Sequence, residues 1–243
     1  MGKDTPDWGK YAGTYKSGEV TDLAELAVRA GAPFGFSKSG EQFLIDDFSL
    51  GLGRWNAAAL FGGLVPVLSA DAWLYGGFSC LLDAEAVAGG TSWINSTFAG
   101  YPLTPLGLQL GFSVMMGNSL LYLILEYHQG GTVSTFNARF DFPNDMLSIE
   151  DDGFVYHDII TGLALEPGAT PFHFCKMVID PTKRAYGWIQ FDNRIVGDLG
   201  ISAIPSPPDD YDQLSVEISN ESVGGGFARV YVDHVILTYN EPL

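Results

Sequence analysis

The sequence predicts an all-β protein, an antiparallel two-sheet sandwich that is preceded by an N-terminal arm with one short helix. Three observations indicate this fold class. Hydrophobic residues make up 47% of the 243-residue chain, which is enough for a sizeable core. Apolar and polar residues alternate in short runs, as they do in half-buried strands. Gly, Pro, Asn and Asp separate these runs and favour turns between strands.

The first element, residues 1–42, is predicted to be an arm. Its first part has neither strand nor helix periodicity and carries aromatic residues among glycine, lysine and aspartate. The predicted helix covers about residues 21–30, where Thr21 caps it and Gly31 ends it. So short a helix must pack on the sandwich or on another copy of the chain. Exposed aromatic residues need a cover, so we expect the arm to lie on a neighbouring subunit; the alternative is an unattached tail. The expected assembly residues are Trp8, Tyr11, Tyr15, Leu23 and Leu26.

Residues 43–243 are predicted to form the sandwich, and residues 108–127 show its clearest register. Apolar residues alternate on both sides of Gly117-Asn118, a dipeptide that suits a two-residue hairpin turn. Pairing across this turn places four apolar pairs on one face, which a shifted register would not achieve. Glu126 lies on the opposite face, with His128 near its end. We therefore expect a hairpin within one sheet.

Residues 172–193 predict a second hairpin, with a polar turn at residues 180–183. If Asp180 faces Tyr186, Cys175 and Met177 lie on the core side. The other side then holds aromatic residues beside charged and amide groups, a combination that binds sugars but also occurs in cores and subunit interfaces. The candidate carbohydrate-binding residues are Trp188, Tyr186, Lys176 and Gln190, together with Glu126 and His128 of the first hairpin.

The acidic composition argues against several functions. A net charge of −17 at pH 7 repels phosphate backbones and anionic lipids, so nucleic-acid binding is not expected. Residues 86–125 carry no charge, but Pro102 and Pro105 interrupt them and their alternation is strand-like, so no membrane insertion is expected. The first thirty residues contain acidic residues and no apolar segment, so no secretory signal is predicted.

Catalytic motifs are scarce in the sequence. A glycoside hydrolase needs two carboxylates across its cleft, commonly from one strand, and Glu126 stands alone on its strand. The four histidines lack the spacing of a zinc site. We therefore predict no enzyme and no catalytic residue, with Glu126 and His128 as the first pair to mutate if hydrolysis occurs. Cys80 and Cys175 are expected to be buried, and a bridge between them is left open.

Several segments resemble the concanavalin A-like jelly roll of lectins, laminin-G-like modules and carbohydrate-binding modules. They are Asp46-Asp47-Phe48 with Trp55, Val178-Ile179-Asp180, Phe191-Asp192-Asn193 and the last strand at residues 230–235. The resemblance covers roughly residues 43–239 and implies that the first and last strands are neighbours. It also implies a structural calcium ion held by Asp46, Asp47 and Asp233. The alternative is that these carboxylates bond to loop amides.

The N-terminal layout is similar to that of virion-associated proteins of tailed phages. The residues that carry this likeness are Asp7-Trp8, Tyr11, residues 22–27, Asp46-Asp47-Phe48 and Trp55. Together these features predict a non-catalytic virion surface protein, a capsid decoration or tail-associated subunit made in the host cytoplasm. Its expected partners are further copies, other virion proteins and surface glycans, with no cofactor apart from calcium. The alternatives are a stand-alone carbohydrate-binding module and a glycoside hydrolase of the same fold.

Overall fold

The computed structural model shows a protein made almost entirely of β-strands. In the described part of the chain, sixteen strands form two antiparallel sheets and a single 3-10 helix spans Phe142–Asn144. No helix there is long and apolar enough to cross a membrane. The predicted arm and its helix lie outside the described residues almost entirely. The structure describes residues 40–74, 77–99, 103–163, 165, 168, 172–207 and 211–243.

Sheet A has eight strands, and its long central strands pair with neighbours that are distant in sequence. β1 (Glu41–Asp46) pairs with β16 (Ala228–Tyr239), so the first and last strands of the sandwich are adjacent, as predicted. From one edge to the other, the order is β13 (Arg194–Val196), β12 (Ala185–Phe191), β11 (His173–Asp180), β6 (Leu106–Gly117), β16 (Ala228–Tyr239), β4 (Ser79–Asp83) and β3 (Val67–Ser69), with β1 (Glu41–Asp46) also on β16.

Sheet B also has eight strands and lies across the core from sheet A. The order is β10 (Tyr156–Thr161), β9 (Met146–Glu150), β8 (Thr132–Asp141), β7 (Ser119–Gln129), β15 (Gln213–Ser222), β5 (Thr91–Ala99) and β2 (Asn56–Leu60), with β14 (Ile204–Ser206) also on β8. Alternate side chains of both sheets fill the space between them, as in a two-layer sandwich. The predicted all-β antiparallel sandwich is therefore confirmed.

The predicted hairpin at residues 108–127 is wrong, because its two strands belong to different sheets. β6 pairs with β11 and β16 in sheet A, whereas β7 pairs with β8 and β15 in sheet B. Gly117 and Asn118 carry the chain from one sheet to the other. The apolar residues of both strands still face the core, from opposite sides. Alternation identifies the buried face of a strand, but it does not show which strand lies beside it.

The second predicted hairpin is confirmed over most of its length. Met177 pairs with Ile189, and Lys176 pairs with Gln190. The register shifts beyond Val178, so that Tyr186 lies opposite Ile179 instead of Asp180. This bulge reverses the side of the sheet to which Tyr186 points. Its ring packs edge-on against Phe136 in the core.

The Tyr186 hydroxyl connects the two sheets. It accepts a hydrogen bond from Asn137 N at 2.7 Å, and it lies 2.9 Å from the Glu150 carbonyl oxygen, to which it donates. Asn137 lies between the parts of β8 that pair with two different strands. β14 pairs with residues 133–135 of β8, and β9 pairs with residues 138–141. The hydroxyl therefore bonds to backbone groups at a gap in the ladder, and burial raises the pKa of Tyr186.

Tyr186→Phe is expected to lower the free energy of unfolding by about 1–3 kcal/mol, because the buried backbone groups lose their partner. Equilibrium denaturation monitored by fluorescence checks this value. Tyr239→Phe is the matched control, since the Tyr239 hydroxyl bonds to Glu41 at the surface, and it should leave stability nearly unchanged. Equal stability of Tyr186→Phe and wild type would contradict the connecting role.

Both cysteines are buried in the core and free, so the bridge left open by the sequence does not form. Cys80 lies on β4 and Cys175 on β11. Burial raises the pKa of both thiols, which keeps them protonated and unreactive. Their predicted role as small buried apolar residues is confirmed.

Candidate functional site

The outward side of sheet B carries a surface of polar and aromatic side chains, here named the sheet B face. It spans β5, β15, β7 and β8, whose cross-strand pairing places the side chains in rows. Side chains of directly opposed residues contact one another on such a face. Two adjacent rows contain Asn95, Glu217, Ile124 and Asn137, and Trp93, Ser219, Tyr122 and Arg139.

Two glutamates on neighbouring strands meet on the sheet B face. Glu217 of β15 lies opposite Ile124 of β7, and Glu126 is two residues further along β7 on the same side. Such diagonal neighbours have Cα atoms about 7–8 Å apart, within reach of long side chains. Burial raises the pKa of the Glu217 carboxyl; a hydrogen bond with Ser219 partly offsets the shift, and the charge of Glu126 adds to it. Glu217 therefore keeps its proton to a higher pH than an ordinary glutamate.

His128 lies beside Glu126 on the sheet B face. These two residues are the pair that the sequence singled out for mutation if the protein hydrolyses glycans. The distance between His128 Nε2 and Glu126 Oε2 is 3.6 Å. The imidazole is buried, while the Glu126 side chain is 40% exposed. The pair thus presents an accessible carboxylate with a histidine behind it.

A hydrogen-bonded network fixes the other side chains of the sheet B face. The Asn137 side-chain amide donates to Glu150 Oε2 at 2.8 Å and to the Tyr156 hydroxyl at 2.9 Å. The Arg139 guanidinium lies over the Tyr156 ring, 3.8 Å from its centroid. Nearby, the Tyr122 hydroxyl lies 3.2 Å from a carboxylate oxygen of Glu221 and donates to it. Because these groups hold one another, the face is preorganised for a ligand.

Three buried polar atoms of the sheet B face have no hydrogen-bond partner within the described structure. They are Asn95 Oδ1, Asn137 Oδ1 and Arg139 Nε. Buried polar atoms are bonded in the great majority of cases, so unbonded ones call for bound water.

Glu217 is absent from the residues predicted from sequence. The strand that carries Glu217 does show polar alternation in the sequence. Every second residue is polar and the residues between them are apolar or buried: the polar ones are Gln213, Ser215, Glu217, Ser219 and Glu221. That alternation predicts a strand with one polar face. The position of this strand between β7 and β5 depends on pairing with residues about a hundred positions away, which local patterns do not reveal.

The predicted carbohydrate-binding residues divide among three places. Glu126 and His128 lie on the sheet B face. Trp188, Lys176 and Gln190 lie on the outward side of sheet A, across the sandwich from it. Tyr186 is in the core and 2% exposed, so its prediction as part of a surface sugar platform is wrong. The physical reason is the bulge in β12, which removes Tyr186 from the side that carries Trp188.

The three predicted calcium ligands are not brought together. Asp46 accepts hydrogen bonds from Phe48 N and from the Trp55 indole nitrogen. Asp47 accepts from the backbone and hydroxyl of Ser49, and Asp233 accepts from Leu74 N at 2.6 Å. No group of three or more His, Cys, Asp or Glu side chains suited to a metal occurs among the described residues. The carboxylates thus bond to loop amides, which was the alternative to a metal site.

The predicted assembly through the arm stays a prediction. Trp8, Tyr11, Tyr15, Leu23 and Leu26 all lie outside the described residues. The expected homo-oligomer, the contacts with other virion proteins and the location on a virion also stay predictions, because they rest on the arm.

Comparisons with known proteins find the fold but no family. No model of a known protein family matches the chain, and no curated protein matches it. Among solved structures, a cellulose-induced protein, Cip1, is similar with a TM-score of 0.56 and 14% identity, covering 81% of this chain and 97% of that one. A carbohydrate esterase of the Shiga toxin-encoding bacteriophage phi24B has a TM-score of 0.56 and 13% identity, covering 83% and 100%. A Bacillus licheniformis β-glucanase has a TM-score of 0.50 and 11% identity, covering 83% and 99%.

These neighbours contradict the prediction that the chain is not an enzyme, since two of the three are named as enzymes. That prediction rested on the lack of a second carboxylate on the strand of Glu126. The structure supplies one from the neighbouring strand, namely Glu217. Sequence identities this low show the fold alone. The chain has the concanavalin A-like jelly-roll fold that its sequence resembles.

Proposed function

We propose that the protein is a carbohydrate-active enzyme that hydrolyses glycosidic bonds in an uncharged glycan bound across the sheet B face. The observation that carries the proposal is the pair of glutamates on neighbouring strands, one with a raised pKa and one partly exposed. Glycoside hydrolysis requires one protonated and one ionised carboxyl group. The neighbours named as a carbohydrate esterase and a β-glucanase support a carbohydrate substrate.

The charge of the face supports an uncharged substrate. Across its described residues the sheet B face carries four glutamates, whereas its strands contribute one arginine, Arg139, which is held over Tyr156. Uronic and sialic acids would be repelled by such a surface. The aromatic rings of Trp93 and Tyr122 offer apolar contact to sugar rings. The glutamates of this face are Glu126, Glu150, Glu217 and Glu221.

In the proposed reaction, Glu217 is the general acid and Glu126 the second carboxylate. Glu217 donates its proton to the glycosidic oxygen as the bond to the anomeric carbon breaks, so the leaving sugar departs as an alcohol. Glu126 acts either as the nucleophile or as the base that removes a proton from water. Water supplies the hydroxyl group of the new reducing end. His128 is a positioning residue, since it contacts Glu126 and not the scissile bond.

The direct experiment is a screen for the release of reducing ends from hydroxyethyl cellulose, laminarin, xyloglucan, galactomannan and acetylated xylan. Wild type is expected to release reducing ends from at least one of them. The double variant Glu126→Gln/Glu217→Gln is the control for contaminating activity and should release none. Release of acetate without reducing ends, or no product from any polymer, would overturn the proposal.

A further inference from the structure

We propose a second glycan-binding site on the opposite side of the sandwich, at the edge of sheet A. It is a depression of about 450 Å³ lined by Trp188, Gln190, Ile195, Asp198, Pro242 and Leu243, here named the Trp188 platform. Its ligand would be a segment of an uncharged polysaccharide. The proposal does not rest on hydrolysis, because none of these residues lies on the sheet B face.

The indole of Trp188 is held in place from several directions. Its Nε1 donates to the carbonyl oxygen of Pro242 at 2.7 Å. The Lys176 ammonium group lies over the ring, 5.6 Å from the centroid, and is itself 2.5 Å from Glu241 Oε1. A ring that is already fixed loses little freedom when a ligand stacks on it. Trp188 thus meets the requirement for a binding platform, which a mobile surface tryptophan would not.

The surroundings of the ring are open and apolar. Ile195 is 66% exposed and Leu243 is 58% exposed, although both are large hydrophobic residues. Gly187 and Gly197 also line the depression and add no side chain to block the approach to the ring. At Gly187 a Cβ atom would lie 2.7 Å from Leu243 Cδ2, so a larger residue there would displace the Leu243 side chain from the depression. The platform therefore has an exposed apolar floor around a fixed aromatic ring.

Polar groups at the rim favour a sugar over a peptide or a lipid. The side-chain nitrogen of Gln190 donates to the Asp192 carbonyl oxygen at 2.6 Å, which fixes the side-chain amide at the rim. Asp198 contributes an exposed carboxylate. A ring stacked on tryptophan with hydroxyl groups at an amide and a carboxylate is a typical sugar contact. The carboxylate disfavours acidic glycans and anionic lipid headgroups.

The two faces together predict two-sided binding of a polymer. The Trp188 platform would hold one segment, while the sheet B face holds another segment or another chain. Linking two weak sites raises the overall affinity for a long polymer well above that of either site. A short oligosaccharide cannot engage both sides of the sandwich, so it should not benefit.

Affinity electrophoresis tests the Trp188 platform directly, with hydroxyethyl cellulose, laminarin, xyloglucan or galactomannan in the gel. The tests use the Glu126→Gln/Glu217→Gln protein as background, so that the polymer is not degraded. We expect Trp188→Ala to raise the apparent dissociation constant at least about tenfold for a polymer that retards the background protein. Trp188→Phe should show a smaller loss, because a ring remains without the bond to Pro242.

Trp73→Ala is the matched control, since Trp73 is a surface tryptophan, 51% exposed, in a different part of the molecule. Ile195→Asp is the second test, because it alters the apolar floor at an exposed position of an edge strand even if Trp188→Ala fails to fold. The proposal is overturned if no polymer retards the protein. It is also overturned if Ile195→Asp and any folded Trp188 variant bind as tightly as Trp73→Ala. Retardation that depends on Trp188 without any release of reducing ends would support the platform and count against the hydrolase alone.

Discussion

Glu217→Gln is expected to lower kcat for polysaccharide hydrolysis by about 10²–10⁴-fold, the usual contribution of a general acid. The amide has nearly the same shape but cannot donate a proton to the glycosidic oxygen. KM should change little, because the substrate contacts of the face remain. Initial rates of reducing-end release over a range of substrate concentrations give both constants. A rise in KM with kcat unchanged would mean that Glu217 binds substrate and does not transfer protons.

The pH dependence of kcat/KM provides a second readout of the same residue. Burial raises the pKa of Glu217 above its ordinary value of 4.5. The reactive form is protonated, so the rate should be maintained below the raised pKa and fall as the pH rises through it. Glu217→Gln should remove this alkaline decline from the residual activity. Glu221→Gln is the matched control on the same strand and should keep both the rate, within about tenfold, and the pH profile.

Glu241→Ala is expected to lower the free energy of unfolding by about 3–5 kcal/mol, the usual effect of removing one member of a buried ion pair. Glu241 and Lys176 are both buried, and Glu241 Oε1 also accepts a hydrogen bond from Thr238. Burial lowers the pKa of Lys176 below its ordinary value of 10.5, while Glu241 opposes this shift. Chemical denaturation at several pH values measures the loss.

The pH dependence of the Glu241→Ala effect has a definite sign. Without Glu241, the charged form of Lys176 is less favourable in the folded protein, so its pKa falls further. The unfolded chain then binds the proton more tightly, and stability should recover as the pH rises.

Lys183→Ala is the control, since Lys183 pairs with Asp180 at 3.1 Å but is 75% exposed, and it should cost at most about 1 kcal/mol. A double variant, Lys176→Met with Glu241→Leu, should be more stable than Glu241→Ala. Equal instability of the two would contradict the ion-pair explanation.

Much of the fold follows from local patterns in the sequence. Alternation identified the buried sides of β6, β7, β11 and β12, because side chains on a strand point to opposite sides in turn. The register of β11 with β12 also followed, since a short turn joins the two strands. The bulge before Tyr186 did not follow, because an extra residue in one strand leaves no mark in the apolar pattern.

The candidate site was half visible for a related reason. Glu126 and His128 are two positions apart on one strand, and their common side can be deduced from the sequence alone. Glu217 belongs to a strand inserted between β7 and β5, so its contact with Glu126 depends on long-range pairing. The assignment of β6 and β7 to one sheet failed for the same reason. A pattern of two carboxylates on one strand therefore cannot reveal a pair that spans two strands.

The most direct test of the assigned roles compares two substrates of different leaving-group ability. In a dinitrophenyl glycoside of the sugar identified by the polysaccharide screen, the leaving group departs as a stable anion and needs little protonation. In the polysaccharide, the leaving sugar must receive a proton to depart as an alcohol. Glu217→Gln should retain kcat/KM, which reports the step that breaks the glycosidic bond, within about tenfold of wild type on the dinitrophenyl glycoside, while kcat/KM on the polysaccharide falls about 10²–10⁴-fold. Glu126→Gln should lose activity on both. Equal losses by Glu217→Gln on the two substrates would contradict its assignment as the proton donor.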